Sequence, residues 1–206
     1  MKNIILLFVV CVLYVNATAQ TKQQEVGLLF SDFDNFGLTY KLGNEKAMWR
    51  FNSLLLNGNK SNTKDDDFSD YKSTLNSSGF NLSLGREYRK SIAERFEMRY
   101  GLDLTYRYDN YEKESYYEDN KEETLQYDQR KTYGPGLQLV FGFNYVINNS
   151  LVLGAELLPF LSYNTVKESS KEFDGYDSFY ESNLTLTQWS YGFSNSSARL
   201  SISYRF

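Results

Sequence analysis

The sequence predicts an all-β fold, a single antiparallel up-and-down β-barrel of about eight strands that crosses a membrane. Three observations predict it. Apolar and polar residues alternate with a period of two through most of the chain, the links between alternating runs are short and long in turn, and the last alternating run ends in an aromatic, Phe206. No stretch beyond the first twenty residues keeps a period of 3.6 for three turns. Successive side chains of a strand point to opposite faces, so each run has one apolar and one polar face.

The first element is an export signal. Lys2 supplies a positive start, residues 4–13 form an apolar run, and Ala17-Thr18-Ala19 places small residues where a signal peptidase reads them. The run is too short to span a bilayer as a helix, which takes roughly 20 residues. Cleavage after Ala19 leaves residues 20–206 as the barrel domain, 187 residues (206 − 19). Cys11 is the one cysteine of the chain. A lipidated-cysteine reading is disfavoured, because Val10 stands where that signal wants a small residue and the apolar run would be cut in half. If Cys11 leaves with the signal, the exported chain has no disulfide available and relies on a closed sheet.

The strands follow in order. Val26, Leu28 and Phe30 alternate with Glu25 and Gly27, and Phe36, Leu38, Tyr40 and Leu42 with Gly37, Thr39 and Lys41. Trp49 and Phe51 flank Arg50; Phe80, Leu82 and Leu84 alternate with Asn81, Ser83 and Gly85. The run 96–108 sets Phe96, Met98, Tyr100, Leu102, Leu104, Tyr106 and Tyr108 against Glu97, Arg99, Gly101, Asp103, Thr105 and Arg107. The run 133–145 repeats the pattern, as do 151–157 and 199–206. Many of these approach the 9–11 residues of a tilted membrane strand. Short links are expected at 43–46, 90–95 and 147–150, and long polar loops at 58–78, 111–131 and 167–182, with only the link 31–35 of the first hairpin breaking the long-link pattern; this is the layout of outer-membrane barrels. An even count puts both termini on the short-turn, periplasmic side. Within 183–199 the phase changes, since Leu184 and Leu186 are out of step with Trp189, Tyr191 and Phe193; a bulge in a long last strand or an extra turn at 195–197 would each account for it.

Composition excludes several function classes. The chain has no histidine, on which common zinc and acid–base sites rely together with cysteine. A net charge of −4 and a pI near 5.0 argue against nucleic acid as a partner. A mean hydropathy of −0.53 leaves no bundle of membrane helices, whereas a membrane barrel can score as polar because only alternate residues meet lipid.

Alternation does not itself say which face points outward. Small residues and charges of both signs on the polar face suit the narrow interior of an eight-stranded barrel, and aromatics near strand ends, such as Trp49, Tyr108, Tyr133, Tyr145 and Tyr163, suit membrane interfaces. The inward positions then carry Glu25, Lys41, Arg50, Glu87, Arg89, Glu97, Arg99, Asp103, Arg107, Glu156, Arg199 and Arg205. Buried charges require partners, so Lys41, Arg50, Glu87, Arg99, Asp103, Glu156 and Arg199 are expected to form a charge network that fills the barrel, with Asp103 and Glu156 near Arg50, Arg99 or Arg199. A narrow ion path is the other reading of the same residues; acid–base catalysis lacks a cleft or nucleophile to go with them.

The terminal Tyr204-Arg205-Phe206, closing the run Leu200-x-Ile202-x-Tyr204-x-Phe206, resembles the C-terminal signal that the barrel-insertion machinery of the outer membrane recognises, with Tyr204 and Phe206 as its aromatics. The layout of the whole exported chain resembles small outer-membrane barrels of the OmpX and OmpA membrane-domain type and the PorT-like barrel families. That resemblance implies residence in the outer membrane of a Gram-negative bacterium, contact with its bilayer and lipopolysaccharide, and roles in membrane integrity, adhesion, small pores or secretion machinery. Because the chain stops at Phe206, no periplasmic peptidoglycan-binding domain is expected after the barrel. Barrel enzymes of that membrane, among them lipases, acyltransferases, deacylases and proteases, use a histidine base that is missing here.

The expected function is therefore non-enzymatic, without cofactor or metal, structural or interacting through the loops 58–78, 111–131 and 167–182. These are acidic and rich in tyrosine, a good composition for contact surfaces. Asp32-x-Asp34-x-x-Gly37 opens like a calcium loop but has Phe36 and Gly43 where ligands are wanted, and reads as a turn. The alternatives are a small pore or transport component of the outer membrane, and a soluble periplasmic lipocalin-like barrel with its apolar face turned inward.

Overall fold

A computed structural model describes residues 23–31, 36–64, 71–117, 124–148, 150–173, 179–193 and 197–206. The export signal expected at 1–19 lies outside them. Among the described residues the strands are β1 (Gln23–Phe30), β2 (Phe36–Gly43), β3 (Ala47–Lys64), β4 (Tyr71–Ala93), β5 (Phe96–Tyr117), β6 (Thr124–Val146), β7 (Leu151–Leu157), β8 (Phe160–Phe173), β9 (Phe179–Gly192) and β10 (Ala198–Arg205).

Antiparallel pairing runs from β1 through β6 to β7, from β7 to β10, and from β10 back to β1, a closed ring of eight. In the closing pair Val26 faces Tyr204 and Leu28 faces Ile202. Gln24 and Phe206 exchange two backbone hydrogen bonds of 2.9 Å each. Closure leaves this part of the sheet without an edge.

β8 and β9 are the upward continuations of β7 and β10. β7 and β8 keep one register against β6, with Leu157 opposite Phe141 and Leu161 opposite Leu137. The ladder is interrupted at Pro159, which lacks an N–H but still accepts a 2.9 Å hydrogen bond from Leu139 N, and again at Gly134 and Pro135, between the pairs Tyr133–Thr165 and Gly136–Ser162. The last strand is different. Between the pairs Phe160–Gly192 and Leu157–Ala198, three steps on one strand face six on the other. This excess of three, an odd number, reverses the phase between β9 and β10. Gly192, at φ 133°, opens the excess in a conformation that disfavours a side chain. Residues 194–196 lie outside the described residues, and with them most of the extra turn expected at 195–197. Leu184 and Leu186 remain on the opposite face from Trp189 and Tyr191 in an unbroken ladder.

The short links are tight turns held by asparagine. Asn44 Oδ1 accepts from Lys46 N and Ala47 N (3.0 and 2.9 Å), and Asn148 Oδ1 from Ser150 N and Leu151 N (2.9 and 2.7 Å). At 90–95 the strand runs on to Ala93. The long loops need a larger correction. Most of 58–78, 111–131 and 167–182 is strand, with continuous pairing from Gly58–Ser78 to Lys64–Lys72, from Tyr111–Arg130 to Ser115–Gln126, and from Lys167–Thr185 to Phe173–Phe179. Both faces of these segments are polar, so no alternation marks them, yet Ser, Thr, Asn and Tyr sustain a ladder without an apolar face. The hairpin tips 65–70, 118–123 and 174–178 lie outside the described residues.

The facing is the reverse of a soluble barrel. β2, β7 and β10 alternate exposed and buried along their length. The exposed set is apolar, with Leu38 at 61% and Leu104 at 62% exposure, while the buried set is dominated by charged and polar residues. This overturns the lipocalin-like alternative, which needs the apolar face inside. Met48 and Val152 near the short turns, Val140 between, and Leu29 and Leu158 nearer the other end, are the buried apolar members of the interior among the described residues. Two aromatic girdles bound the outer apolar band. One includes Tyr88 on Tyr100 (5.7 Å) and Phe96 on Tyr145 (5.0 Å); the other includes Phe80 on Tyr108, Tyr108 on Tyr133 (both 5.5 Å) and Tyr163 on Trp189 (5.1 Å). From Phe96 to Tyr108 a strand tilted as in membrane barrels rises about 30 Å, the thickness of a bilayer core.

Candidate functional site

Alternation on β2, β3, β4, β5 and β7 aims Lys41, Arg50, Glu87, Arg99, Asp103 and Glu156 at the same space. Glycines at inward positions of neighbouring strands make that space. A Cβ on Gly154 would stand 2.8 Å from Arg99 Nη2, so a side chain there would displace the guanidinium.

Glu87 is the hub. Its carboxylate accepts from Lys41 Nζ at 3.0 Å, Arg50 Nη1 at 3.1 Å, Arg89 Nε at 2.7 Å and Arg99 Nη1 at 3.4 Å. Glu156 takes Arg50 in a two-pronged pair (3.0 and 3.1 Å) and has Arg99 Nη2 at 3.3 Å. Asp103 lies 3.2 Å from Arg50 Nε. Nearer the chain ends Glu25 takes Arg89 in a two-pronged pair (2.6 and 2.8 Å) and Arg205 Nε at 2.7 Å, while Arg205 also grips Glu97 (2.9 and 2.8 Å). The side chains of the Glu87 and Glu156 clusters are at most 2% exposed. At that burial, ionised groups persist only with such partners, and the pairs span the lumen as a plug. On the β2–β4 wall the amide of Asn52 bridges the hydroxyls of Thr39 and Ser83 at 2.7 and 2.9 Å.

Two of the sequence-derived interior residues stand apart. Arg199 is buried and faces Glu156 in register, but its Nε and Nη1 make no hydrogen bond. Both oxygens of Asp103 and Oε1 of Gln138 are likewise without hydrogen bonds. Arg107 points inward by phase yet has a side chain 63% exposed, paired with Asp109 Oδ2 at 2.5 Å. It lies beyond the plug, where the barrel has widened into an open sheet.

That sheet was not readable in the sequence. β1 and β2 stop at Phe30 and Phe36, level with the outer girdle, while β3, β4, β5, β6, β8 and β9 continue. β5 runs from Tyr108 to Tyr117, about 30 Å of further strand. Above the β1–β2 hairpin, upper β3 pairs only with β4 and β9 only with β8 among the described residues, so two backbone edges face each other across a notch. The inner face carries ion pairs and hydrogen bonds, Arg130 with Glu168 (2.5 Å) and Ser170 with Asp128 (2.6 Å). Beside them are Leu184, Leu186 and Tyr180, at 47, 48 and 68% exposure. On the outer face Asn110 and Gln129 donate to Glu112 at 3.1 and 2.8 Å and hold its carboxyl below the ordinary carboxylate range.

Asp32 and Asp34 lie outside the described residues, and among the described residues no cluster of His, Cys, Asp and Glu could hold a metal ion. Tyr204 and Phe206 are exposed on the outer wall with their rings 6.2 Å apart.

A model of the putative OmpA-OmpF-like porin family matches residues 55–188. No curated protein sequence matches the chain. Among solved structures, a major outer membrane protein of Thermus thermophilus is similar over 91% of this chain and 100% of its own, at 14% identity and a TM-score of 0.51. Acinetobacter baumannii CarO2 (11% identity, 90% of this chain and 97% of that one, TM-score 0.35) and the attachment invasion locus protein Ail of Yersinia pestis (14%, 90% and 97%, 0.30) are more distant. The Thermus likeness concerns the fold.

Proposed function

Because the chain belongs to the putative OmpA-OmpF-like porin family, we propose that its barrel is a closed anchor in the outer membrane and that its work is recognition by the sheet raised above the bilayer. Family and fold place the protein in the outer membrane of a Gram-negative bacterium. In this reading the long hairpins face outward, and the short turns and both chain ends face the periplasm. Export ends with cleavage after Ala19, and the insertion machinery engages the strand carrying Tyr204 and Phe206. No catalysis is invoked.

The observation that carries the reading is the pair of backbone edges, on upper β3 and on β9, that no strand among the described residues pairs with. A free edge is a template for another strand, and adding an extended segment to a sheet edge is a recurrent way to bind a polypeptide. Leu184 and Leu186, exposed along β9, offer side-chain contacts beside that edge. The experiment compares cells displaying the protein with cells displaying a variant that lacks 58–78 and 167–182, and so upper β3 and the top of β9; both proteins are shown to be folded by their heat-dependent shift on a gel. Recognition by the sheet predicts that surface binding to host or envelope proteins is lost with the deletion; unchanged binding refutes it.

A pore is the second reading, favoured by the unbonded polar atoms of Asp103, Gln138 and Arg199 in the lumen. It predicts a steady current in planar bilayers that changes with Glu156→Gln. The closed anchor predicts little current.

A further inference from the structure

Arg86 breaks the rule of the outer wall. It belongs to the outward phase of β4, between Leu84 and Tyr88, and faces Trp49 on one side and Leu102 on the other. These four neighbours are all exposed apolar or aromatic residues of the lipid-facing surface. Its guanidinium lies 5.1 Å over the Trp49 ring. Lys90 follows in the same phase, exposed and opposite Met98. Among the described residues no carboxylate pairs with either cation.

Arg86 lies opposite Leu102, midway between Phe96 and Tyr108, and one outward position from Tyr88, so it is tolerated by the reach of its side chain toward the short-turn girdle. Trp49 is two residues from the start of β3, and Tyr88 and Tyr100 stack in the girdle on the short-turn side. A cation on the lipid face is costly at the bilayer centre and cheap near the headgroups, which a long side chain reaches by extending. Trp49 covers one face of the guanidinium and leaves its N–H fork free, and that fork matches phosphate. Leu84, Leu102 and Leu139 beside it offer exposed apolar surface for acyl chains.

We propose that Arg86, held on Trp49, binds the phosphate of an anionic phospholipid in the leaflet on the short-turn side, with Lys90 as a second cation for the headgroup. Assigning that leaflet to the periplasmic side rests on the orientation proposed above; the binding itself rests only on the lipid-facing wall.

The chain has two tryptophans, Trp49 and Trp189, so Trp189→Phe leaves Trp49 as the reporter. The protein, folded as judged by its gel shift, is placed in phosphatidylcholine bilayers containing brominated phosphatidylglycerol, and in the converse mixture. Trp49 is expected to be quenched by phosphatidylglycerol with about a fivefold preference over its share of the bilayer, and Arg86→Gln is expected to bring this to parity. Quenching by brominated phosphatidylcholine in pure phosphatidylcholine is unchanged by Arg86→Gln. Parity in the parent protein, or a preference that survives Arg86→Gln, overturns the proposal. So does loss of the preference in excess inorganic phosphate, which would make the site one for the free anion. Absence of any quenching would overturn the lipid-facing assignment of this wall as well.

Discussion

Arg50 and Glu156 meet across the full width of the barrel. They lie 106 residues apart, on β3 and β7, four places apart in the ring of eight, and join through two hydrogen bonds of 3.0 and 3.1 Å. A two-pronged pair between opposite walls fixes the lumen's diameter as well as its charge. Removing Glu156 takes from Arg50 its two-pronged partner and from Arg99 its second carboxylate, and leaves the buried cations Arg50, Arg99 and Arg199 with too few anions among Glu87 and Asp103. Glu156→Ala is expected to destabilise the barrel by about 3–5 kcal/mol, read as a lower urea midpoint for loss of the heat-dependent gel shift. Leu102→Ala, on the lipid-facing wall, is expected to cost much less.

The same network depends on absent side chains. Gly154→Val adds bulk where Arg99 Nη2 lies 2.8 Å from the new Cβ position. Overpacking of this kind costs about 1–3 kcal/mol, and here it also pushes Arg99 from Glu156. The urea midpoint should fall, and a midpoint equal to the parent's would show that the lumen has slack the geometry does not reveal.

The closing strand carries the third prediction. Phe206 is exposed, and its backbone completes the seam with Gln24. Phe206→Ala removes an aromatic without touching that ladder. In cells it should lower the fraction of protein that reaches the outer membrane in heat-shifting form, while refolding of the purified variant in detergent proceeds as in the parent. Equal assembly in cells would remove the role assigned to this residue.

The raised sheet has one titrating anchor with a clear sign. Glu112, held below the ordinary carboxylate range by the bonds from Asn110 and Gln129, supports the β5–β6 ladder above the carboxylate's unfolded value. It loses that support as pH falls through its lowered folded value. The side-chain amide resonances of Asn110 and Gln129 should shift together below the usual carboxylate midpoint, and Glu112→Gln should abolish the transition. A midpoint at or above the ordinary value contradicts the bonding described.

What could be read from the residues follows from which faces differ. Between the girdles every strand has one face in lipid and one in the lumen, so β5 and β6 announce themselves by alternation. Beyond Tyr108 both faces are polar and the alternation fades, although the ladder continues to Tyr117. The period that marks a strand is a record of unequal surroundings, and the raised sheet has none. The phase conflict between Leu184 and Trp189 had a similar source. The ladder there is regular, and Leu184 sits on the inner face of an open sheet where no lumen buries it. The charges facing the lumen could be named from their phase, but not that Arg107 lies above the plug, because height along the axis depends on how neighbouring strands are staggered.

The central claim is that a membrane barrel presents this sheet to the exterior. If Cys11 leaves with the signal, single cysteines placed at Lys113, on β5 above the outer girdle, and at Glu45, in the turn between β2 and β3, are the only thiols of their chains. Intact cells are treated with a membrane-impermeant thiol reagent, before and after the envelope is opened. Position 113 is expected to label on intact cells and position 45 only after opening. Labelling of position 45 on intact cells, with 113 protected, would contradict it.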